Sequence, residues 1–276
     1  MAGASMNDIK ARIKSVNSTM QITKAMELVA ISKLRRAKER AESSRPYGDA
    51  LAEVVGSLAE KLLSETPFGS SESTATLYIV IAGDRGLAGG YNANVFRALS
   101  GVISEGDIVL PIGKKAQDHV RHRGYATADG VLRVAGEMSV GDCLNVSSLI
   151  LELYREGRIG RVKLIYTHFT SMMSQTVRSV ELLPIAATEQ SSPEPLFDGD
   201  IEELVSTLLP QYLGGRLYSA LCESVASEQG ARRMAMNAAN KNAGEMIDEL
   251  MLGYNRARQA VITQEITEIV SGAEAL

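Results

Sequence analysis

The chain of 276 residues has no tryptophan, 5 % aromatic residues, two cysteines and three histidines. So few aromatics argue against an aromatic-lined pocket, whereas abundant alanine and 11 methionines suit close helix packing. Cys143 and Cys222 form no CxxC motif, which favours a reducing compartment. No apolar run reaches the roughly 18–20 residues of a membrane span, and the N-terminus lacks a signal core. We therefore expect a soluble, intracellular chain.

Charge is unevenly distributed along the chain. The net charge is −4, which does not favour nucleic-acid binding. Residues 1–40 nevertheless hold nine basic residues against three acidic ones, and residues 241–276 hold three basic against six acidic. Opposite charges at the two ends favour their association, or association with charged partners.

Residues 7–42 contain neither proline nor glycine and predict one long helix. Their apolar residues follow the 4-3 spacing of a coiled coil, with only two polar members. This stripe is Ile9, Ile13, Val16, Met20, Thr23, Glu27, Ala30, Leu34, Ala37 and Ala41. A second stripe, Ile22, Ala25, Met26 and Val29, widens the apolar face. We expect Pro46 to kink or break the helix, with the register resuming at Leu51, Val55, Leu58 and Leu62.

The period changes in the middle of the chain. Apolar, β-branched runs alternate with helix-like segments, which favours a small doubly wound sheet. The predicted strands are 77–81, 107–112, 162–169 and 177–185, and the predicted helices are 92–99, 114–123 and 140–156. Polar, glycine- or proline-containing linkers are predicted at 64–75 and 186–199.

The pattern is helical again from Ile201, punctuated early by Pro210 and Gly214–Gly215. Met236, Ala239, Ala243, Met246 and Leu250 keep the coiled-coil spacing. Two long helices joined through an insert must run antiparallel if they pair. The predicted fold class is therefore α/β, an antiparallel coiled coil of long N- and C-terminal helices with a central Rossmann-like α/β domain. Its predicted domains are 1–63, 76–186 and 200–276.

The strongest local candidate for a chemical site is the glycine-rich turn Gly83–Asn92, which follows the first strand. Phosphate binds at such turns in doubly wound folds. The turn matches neither GxGxxG nor GxxxxGK[ST], so tight strand–helix packing is favoured over nucleotide binding. A nucleotide- or phosphate-binding enzyme that uses Gly83–Asn92 remains the alternative.

Other candidates have simpler structural explanations. His119 and His122 suit a surface helix better than a metal site, and His168 suits a structural role. The basic cluster around 24–40 leaves open a scaffold that binds nucleic acid, but no aromatics are interleaved with it. A surface that faces solvent or an acidic partner is favoured.

Three segments resemble the gamma subunit of F-type ATP synthases. The first is QITKAMELVA at 21–30 with Ser32 and Lys33, and the second is AGDRGLAGGYN at 82–92. The third comprises Ala226–Gln229 with Arg232, and the C-terminal run from Tyr254 to Gly272. The resemblance spans the whole chain in the expected order.

The resemblance implies a rotor shaft that is not an enzyme by itself. In that family the coiled coil stands inside a ring of three alpha and three beta subunits, while the α/β domain rests on the membrane rotor ring of c subunits and binds epsilon. No cofactor is implied, since ATP, ADP and magnesium bind on partner subunits. Without a transit sequence, the cytoplasmic face of a bacterial plasma membrane is the expected location.

The resemblance also implies contact residues. The positions that match the family's rotor–beta contacts are Met26, Arg232, Arg258, Gln259 and Thr263. The basic residues expected to face acidic partner loops are Lys24, Lys33, Arg35 and Arg36. Ala88 stands where many members have cysteine, and the cysteine-bearing insertion of chloroplast members is absent, so redox control is not expected.

Overall fold

The computed structural model describes residues 5–58, 68, 71, 73–128, 135–185 and 201–274. The predicted linker 186–199, most of 64–75 and the helix position Leu62 lie outside these residues. The described elements are α1 (Met6–Ser57), β1 (Thr76–Ile81), α2 (Tyr91–Ser100), β2 (Ile108–Ile112), α3 (Lys114–Arg123), β3 (Ala126–Thr127), a 3-10 turn (Ala135–Glu137), α4 (Val140–Arg155), β4 (Arg161–Phe169), β5 (Gln175–Leu183) and α5 (Ile201–Glu274).

Both terminal helices continue through a proline. Pro46 lies inside α1 and Pro210 inside α5. Of the two outcomes expected at Pro46, the break is wrong, and the kink stays a prediction. A proline inside a helix costs about 3 kcal/mol because it removes a hydrogen bond and crowds the preceding turn. Packing offsets this cost next to Pro46, where a Cβ placed on Gly48 would meet Ser219 of α5 at 3.6 Å. The carbonyl of Pro210 accepts a hydrogen bond from Ser147 of α4 at 2.9 Å.

The described strands form one sheet in the order β3-β2-β1-β4-β5. β1 lies at its centre, is buried along its whole length and pairs in parallel with β2 and β4. The predicted strands are confirmed to within a few residues, while the two-residue β3 was not predicted. β5 pairs with β4 in the antiparallel direction, because the short connection 170–174 allows only a hairpin and no helical crossover.

Helices cover both faces of the sheet. Tyr78 and Val80 of β1 face a cluster formed with α2 and α3, whereas Leu77, Ile79 and Ile81 face α4 and parts of α1 and α5. This alternation follows from the period of two in a strand. The carboxyl ends of β1 and β2 lie beside the glycine-rich turn.

The contacts divide the described chain into two compact units. The larger unit runs from Ala30 to Arg232 and contains the sheet. The smaller unit pairs the N-terminal part of α1, up to Val29, with the part of α5 that begins at Arg233.

The predicted stripe of α1 is confirmed, because every one of its positions from Ile9 to Ala41 is buried or half-buried. On α5 the predicted register is wrong at one place. Met246 is 43 % exposed, and the half-buried residue at this level is Ile247. The buried and half-buried positions Met236, Asn240, Ala243, Ile247 and Leu250 also follow a 4-3 repeat, so the spacing alone does not decide between Met246 and Ile247.

Gly113 occupies a position that only glycine can fill. It precedes α3 with φ +95°, and an added Cβ would lie 2.1 Å from the carbonyl oxygen of Ala82. Gly106 has a similar φ of +91°, but a Cβ there would meet nothing within 4 Å. The two glycines therefore separate backbone strain from steric overlap.

We predict that Gly113→Ala destabilises the chain more than Gly106→Ala. The second substitution should cost only the strain of a positive φ, about 1–2 kcal/mol. The first should cost about 1–3 kcal/mol more, because β1 and β2 must move apart to admit the methyl group. Urea unfolding of both variants measures the difference, and equal losses would contradict the close approach of Gly113 to β1.

Candidate functional site

The glycine-rich turn is held by its own side chains. Asn92 accepts a hydrogen bond from the backbone N–H of Gly83 at 2.9 Å. The carboxylate of Asp84 accepts from the backbone N–H groups of Lys114, Ala135 and Gly136 at 3.1–3.2 Å. The turn thus joins β1 to the start of α3 and to the 3-10 turn.

Helix α5 closes the other side of the turn. Arg232 donates to the carbonyl of Gly86 at 3.3 Å and to Glu228 at 2.5 Å. A Cβ on Gly83 would lie 2.8 Å from Glu228 Oε1, so the glycine leaves room for this carboxylate to approach the turn. Two motifs that are far apart in sequence therefore bind each other.

Two hydroxyl groups of α5 extend this contact to the sheet. Ser224 hydrogen-bonds to Tyr91 of α2 at 2.9 Å, and its hydroxyl oxygen also accepts from the backbone N–H of Thr167. Ser227 donates to the Thr167 carbonyl at 3.1 Å. All four side chains that α5 uses here are buried. Buried polar groups that satisfy one another in this way fix the register of α5 along the sheet.

The turn is not arranged to receive a phosphate. In phosphate-binding turns the backbone N–H groups and the helix N-terminus point at the ligand. Here the N–H groups of Gly83 and Lys114 already have protein acceptors, and the Glu228 carboxylate fills the space beside Gly83. Burial raises the pKa of Glu228, and the adjacent Arg232 opposes this rise. The structural explanation of Gly83–Asn92 is favoured over the enzyme alternative.

A second polar cluster lies in the helix pair of the smaller unit. Glu27, 5 % exposed, accepts hydrogen bonds from Asn237 at 3.3 Å and Asn240 at 3.0 Å. Lys24 lies 3.3 Å from the same carboxylate, and Thr23 Oγ1 lies 2.5 Å from Asn240 Oδ1. The two polar members of the α1 stripe therefore meet Asn237 and Asn240 of α5.

The partners of Glu27 stabilise its charged form. The hydrogen bond from Asn237 is the largest cause that lowers its pKa, and Lys24 and Asn240 add to the effect. Burial opposes them but does not prevail. A buried carboxylate with matched donors fixes helix register better than an apolar residue could, because a shift along the helix would leave it unpaired.

The predicted contact residues occupy different environments. Met26 is half-buried, and Arg258, Gln259 and Thr263 are exposed on α5. Arg232 is 8 % exposed and forms an ion pair with Glu228.

The predicted basic residues do not share one face. Lys33 and Arg36 line a cavity of the larger unit, whereas Arg35 points elsewhere and pairs with Glu39 at 3.2 Å. Lys24 pairs with Glu27 in the smaller unit. Helical geometry explains the split, because positions 33 and 36 are neighbours on the surface and position 35 lies on another side.

The histidines are structural. His119 stacks on Phe96 with ring centroids 4.1 Å apart, and burial lowers its pKa. His168 lies 2.5 Å from Glu223, as expected for a satisfied structural histidine. In the part of the chain that the structure describes, no group of histidine, cysteine or carboxylate side chains could hold a metal ion, and no helix is long and apolar enough to cross a membrane.

Sequence reasoning missed the pairing of Glu228 with Arg232 and the asparagine partners of Glu27. The first had a signal, since opposite charges four residues apart face each other on a helix. Glu27 stood out as a carboxylate in an apolar stripe, but its partners depend on the register of two distant segments.

We predict that Glu27→Gln destabilises the helix pair by about 1–3 kcal/mol, because one asparagine then loses its acceptor. The pKa of Glu27 is lowered in the folded state, so its ionised carboxylate stabilises the fold at pH values above the ordinary pKa of 4.5. This stabilisation is lost as the pH falls through the lower pKa of the folded state. Urea unfolding between pH 7 and pH 3 should show the difference between the two proteins shrinking below 4.5.

The control for this variant is Glu39→Gln. It removes the same charge from the same helix, but its pair with Arg35 is exposed and should matter little. A loss as large in the control as in Glu27→Gln would contradict the special role of Glu27.

We predict that Arg232→Met costs about 3–5 kcal/mol, because Glu228 remains buried without its cation. The loss should grow as the pH rises, since a carboxyl with a raised folded pKa binds its proton more tightly in the folded state. The double variant Arg232→Met/Glu228→Gln removes the unpaired charge at nearly constant volume and should recover part of the stability. Equal unfolding midpoints for the single and double variants would argue against this pairing.

Comparisons with known proteins agree on one family. Residues 5–276 match the family model described as ATP synthase. The ATP synthase gamma chain of Ruminococcus albus is 44 % identical over 280 residues, covering 98 % of each chain. The sodium-ion-specific ATP synthase gamma chain of Acetobacterium woodii is 41 % identical, again with 98 % of each chain covered.

Solved structures have a similar fold. A chain from the rotor of the Euglena gracilis mitochondrial ATP synthase matches with a TM-score of 0.68 and 17 % identity, over 93 % of this chain and 98 % of that one. A chain from the central stalk and c-ring structure of the Tetrahymena thermophila mitochondrial ATP synthase matches with a TM-score of 0.58 and 26 % identity, over 79 % and 99 %. This chain therefore belongs to the gamma-chain family of F-type ATP synthases, the non-catalytic subunits of the central stalk.

Proposed function

We propose that this gamma chain turns inside a ring of alternating alpha and beta subunits and transmits torque to it from an ion-driven ring of c subunits. Ion flow is thereby coupled to ATP synthesis or hydrolysis. The observation that carries the proposal is the solvent-exposed C-terminal part of α5. Its apolar side chains Val261, Ile262, Ile266, Ile269 and Val270 are 41–71 % exposed.

An apolar helix end of this kind suits a surrounding protein surface. Contiguous exposed apolar residues on a soluble protein mark interaction sites. All the residues from Arg258 to Ala273 are exposed, so within the described chain nothing covers this end. An apolar surface without fixed polar partners also suits a subunit that rotates against its neighbours, because few hydrogen bonds need to break at each step.

The polar contact residues of the proposal lie at the start of this segment. Gln259 and Thr263 are one helical turn apart, and the Thr263 hydroxyl donates to the Gln259 carbonyl at 2.9 Å. With Arg258 they place a charge and an amide next to the apolar end. We assign these three residues, together with Met26, to contact with beta subunits. Arg232 is only 8 % exposed, so it would affect contact with beta subunits indirectly, by holding the glycine-rich turn in place.

The basic residues have a matching proposed role. Lys24, Lys33, Arg35 and Arg36 would face acidic loops of the beta subunits at different angles, because they lie on different sides of α1. The sheet of the larger unit would be the foot that contacts the c ring and the epsilon subunit. ATP, ADP and magnesium would bind on the partner subunits, with none needed by this chain.

The proposed place of work is the cytoplasmic face of a bacterial plasma membrane. The similarity to gamma chains of Ruminococcus albus and Acetobacterium woodii supports a bacterial source. One relative is sodium-ion specific. In the proposal the ions bind only to the c ring, so the c ring and not this chain determines which ion is coupled.

Reconstitution tests the assignment. The chain should co-purify with cognate alpha and beta subunits as a complex with ATPase activity and show no ATPase activity alone. An active alpha–beta complex that excludes this chain would contradict the proposal.

We predict that Arg258→Ala and Gln259→Ala lower ATP synthesis by the assembled complex about two- to tenfold, the effect of losing one interfacial hydrogen bond. Gln264→Ala is the matched control, since this glutamine is exposed on the opposite side of the same helix and pairs with Glu268 at 2.9 Å. Proton- or sodium-driven synthesis in vesicles is the measurement, with assembly checked by co-purification. Synthesis unchanged in both variants, or reduced equally in the control, would reject these contacts.

A further inference from the structure

The larger unit contains a cavity, and only Lys33, Arg36 and Arg232 of its lining have a proposed role in contact with partner subunits. Its volume is about 450 Å³, within the range of roughly 300–1,000 Å³ that small-molecule sites occupy. It lies between α1, α5, the glycine-rich turn and the 3-10 turn. Its cationic members are Lys33, Arg36, Arg40, Arg85, Lys114 and Arg232.

The charges around this cavity are not balanced. Six basic side chains line it against three acidic ones, Asp84, Glu137 and Glu228. Two of these acids are already engaged, Asp84 by three backbone N–H groups and Glu228 by Arg232. The other five basic side chains have no ion pair or hydrogen bond with any residue that the structure describes. Such a concentration of unpaired positive charge attracts anions.

A buried amide points to the same cavity. Gln229 lines it, is 7 % exposed, and has no hydrogen-bond partner for its side chain among the described residues. Among the described residues its amide atoms are not fully enclosed, so they remain open to the cavity, where they can bind a ligand or water. Its amide group can donate to a phosphate oxygen next to the guanidinium groups.

The chemistry of the lining favours phosphate over a single carboxylate. Arginine presents a planar fork that binds phosphate oxygens in pairs, and three of the five unpaired cations are arginines. The five unpaired cations are exposed and line one cavity, so an anion with several linked negative charges can meet more than one of them. Linked phosphate groups have that charge density.

We propose that this cavity binds a small anion with two or more linked phosphate groups, held by the side chains of α1 and α5. Inorganic pyrophosphate and nucleoside diphosphates share this chemistry. The proposed site is formed by side chains and not by a phosphate-binding glycine turn, because the N–H groups of Gly83 and Lys114 already donate to protein acceptors. The proposal involves binding and no reaction. It concerns the chain alone and does not depend on the rotor assignment.

Calorimetric titration of the full chain tests the proposal. Sodium pyrophosphate, in about 0.1 M salt to screen exposed charges beyond about 10 Å, should bind saturably at one site. Orthophosphate should bind at least about tenfold more weakly, since it meets fewer cations. If ADP binds as tightly as pyrophosphate, the phosphates are recognised; if it binds more tightly, a nucleotide is the natural ligand.

Matched variants locate the site. Arg36→Gln/Arg40→Gln removes two cations of the cavity and should weaken pyrophosphate binding at least about tenfold. Arg35→Gln/Lys38→Gln removes the same charge from the same helix, at positions paired with Glu39 and Glu42, and should leave binding within about twofold. Gln229→Glu should weaken binding as strongly as the first variant. Circular dichroism checks that each variant is folded.

Three results would overturn the proposal. The first is the absence of saturable binding of pyrophosphate and ADP. The second is an equal loss of affinity in the two double variants, which would mean non-specific attraction to charge. The third is tighter binding of a hexaglutamate peptide than of pyrophosphate, which would assign the cavity to an acidic peptide. If Gln229→Glu does not fold, the two double variants decide the question.

Discussion

The structure depends on the pairing of the first part of the chain with the last. Each terminal helix carries an apolar stripe that it cannot bury alone, and an isolated helix gains little stability from propensity. The stripe of α1 is covered along its whole length, from Ile9 to Ala41. In the larger unit the cover comes through Leu34, Ala37 and Ala226, and small residues such as Gly48 and Gly215 admit close contact. The sheet completes its core only with these helices in place.

Apolar stripes alone would allow the helices to slide past each other. Two buried polar contacts prevent this, one in each unit. In the smaller unit, Glu27 is matched to Asn237 and Asn240, and in the larger unit Glu228 and Arg232 hold the glycine-rich turn. A shift of α5 by one residue would leave Glu27 buried without its asparagine partners, at a cost of several kcal/mol. It would also take Arg232 away from the carbonyl of Gly86, although Glu228 and Arg232 would move together. A subunit that must transmit force needs this fixed register.

Much of the fold could be predicted from the sequence. Periodicity located α1 and its seam, and the apolar run 77–81 located the central strand, because these signals are local and repeat many times. A break at Pro46 was one of two expected outcomes and is wrong, since the cost of the proline is local whereas the packing that offsets it comes from a distant helix. Met246 was misplaced by one position because both Met246 and Ile247 fit a 4-3 spacing that starts at Met236, and the spacing alone does not choose between them.

The candidate sites were less predictable. The motif at 82–92 was recognised, but its partners Glu228 and Arg232 come from a segment more than a hundred residues away, and no local pattern specifies that contact. The basic residues near 33–40 looked like one surface, whereas the helix period divides them between a cavity and exposed ion pairs. Contacts with other subunits leave no trace in a single chain except exposure, as at Ile269.

Direct observation of rotation tests the central claim. Ala93→Cys places one reactive thiol on the exposed side of α2, while the native Cys143 and Cys222 are buried and should not react. A bead attached there, with the alpha–beta ring fixed to a surface, reports the angle of this chain during ATP hydrolysis. The account predicts rotation in one direction that stops when ATP is exhausted. Continued hydrolysis with a correctly attached but stationary bead would contradict it.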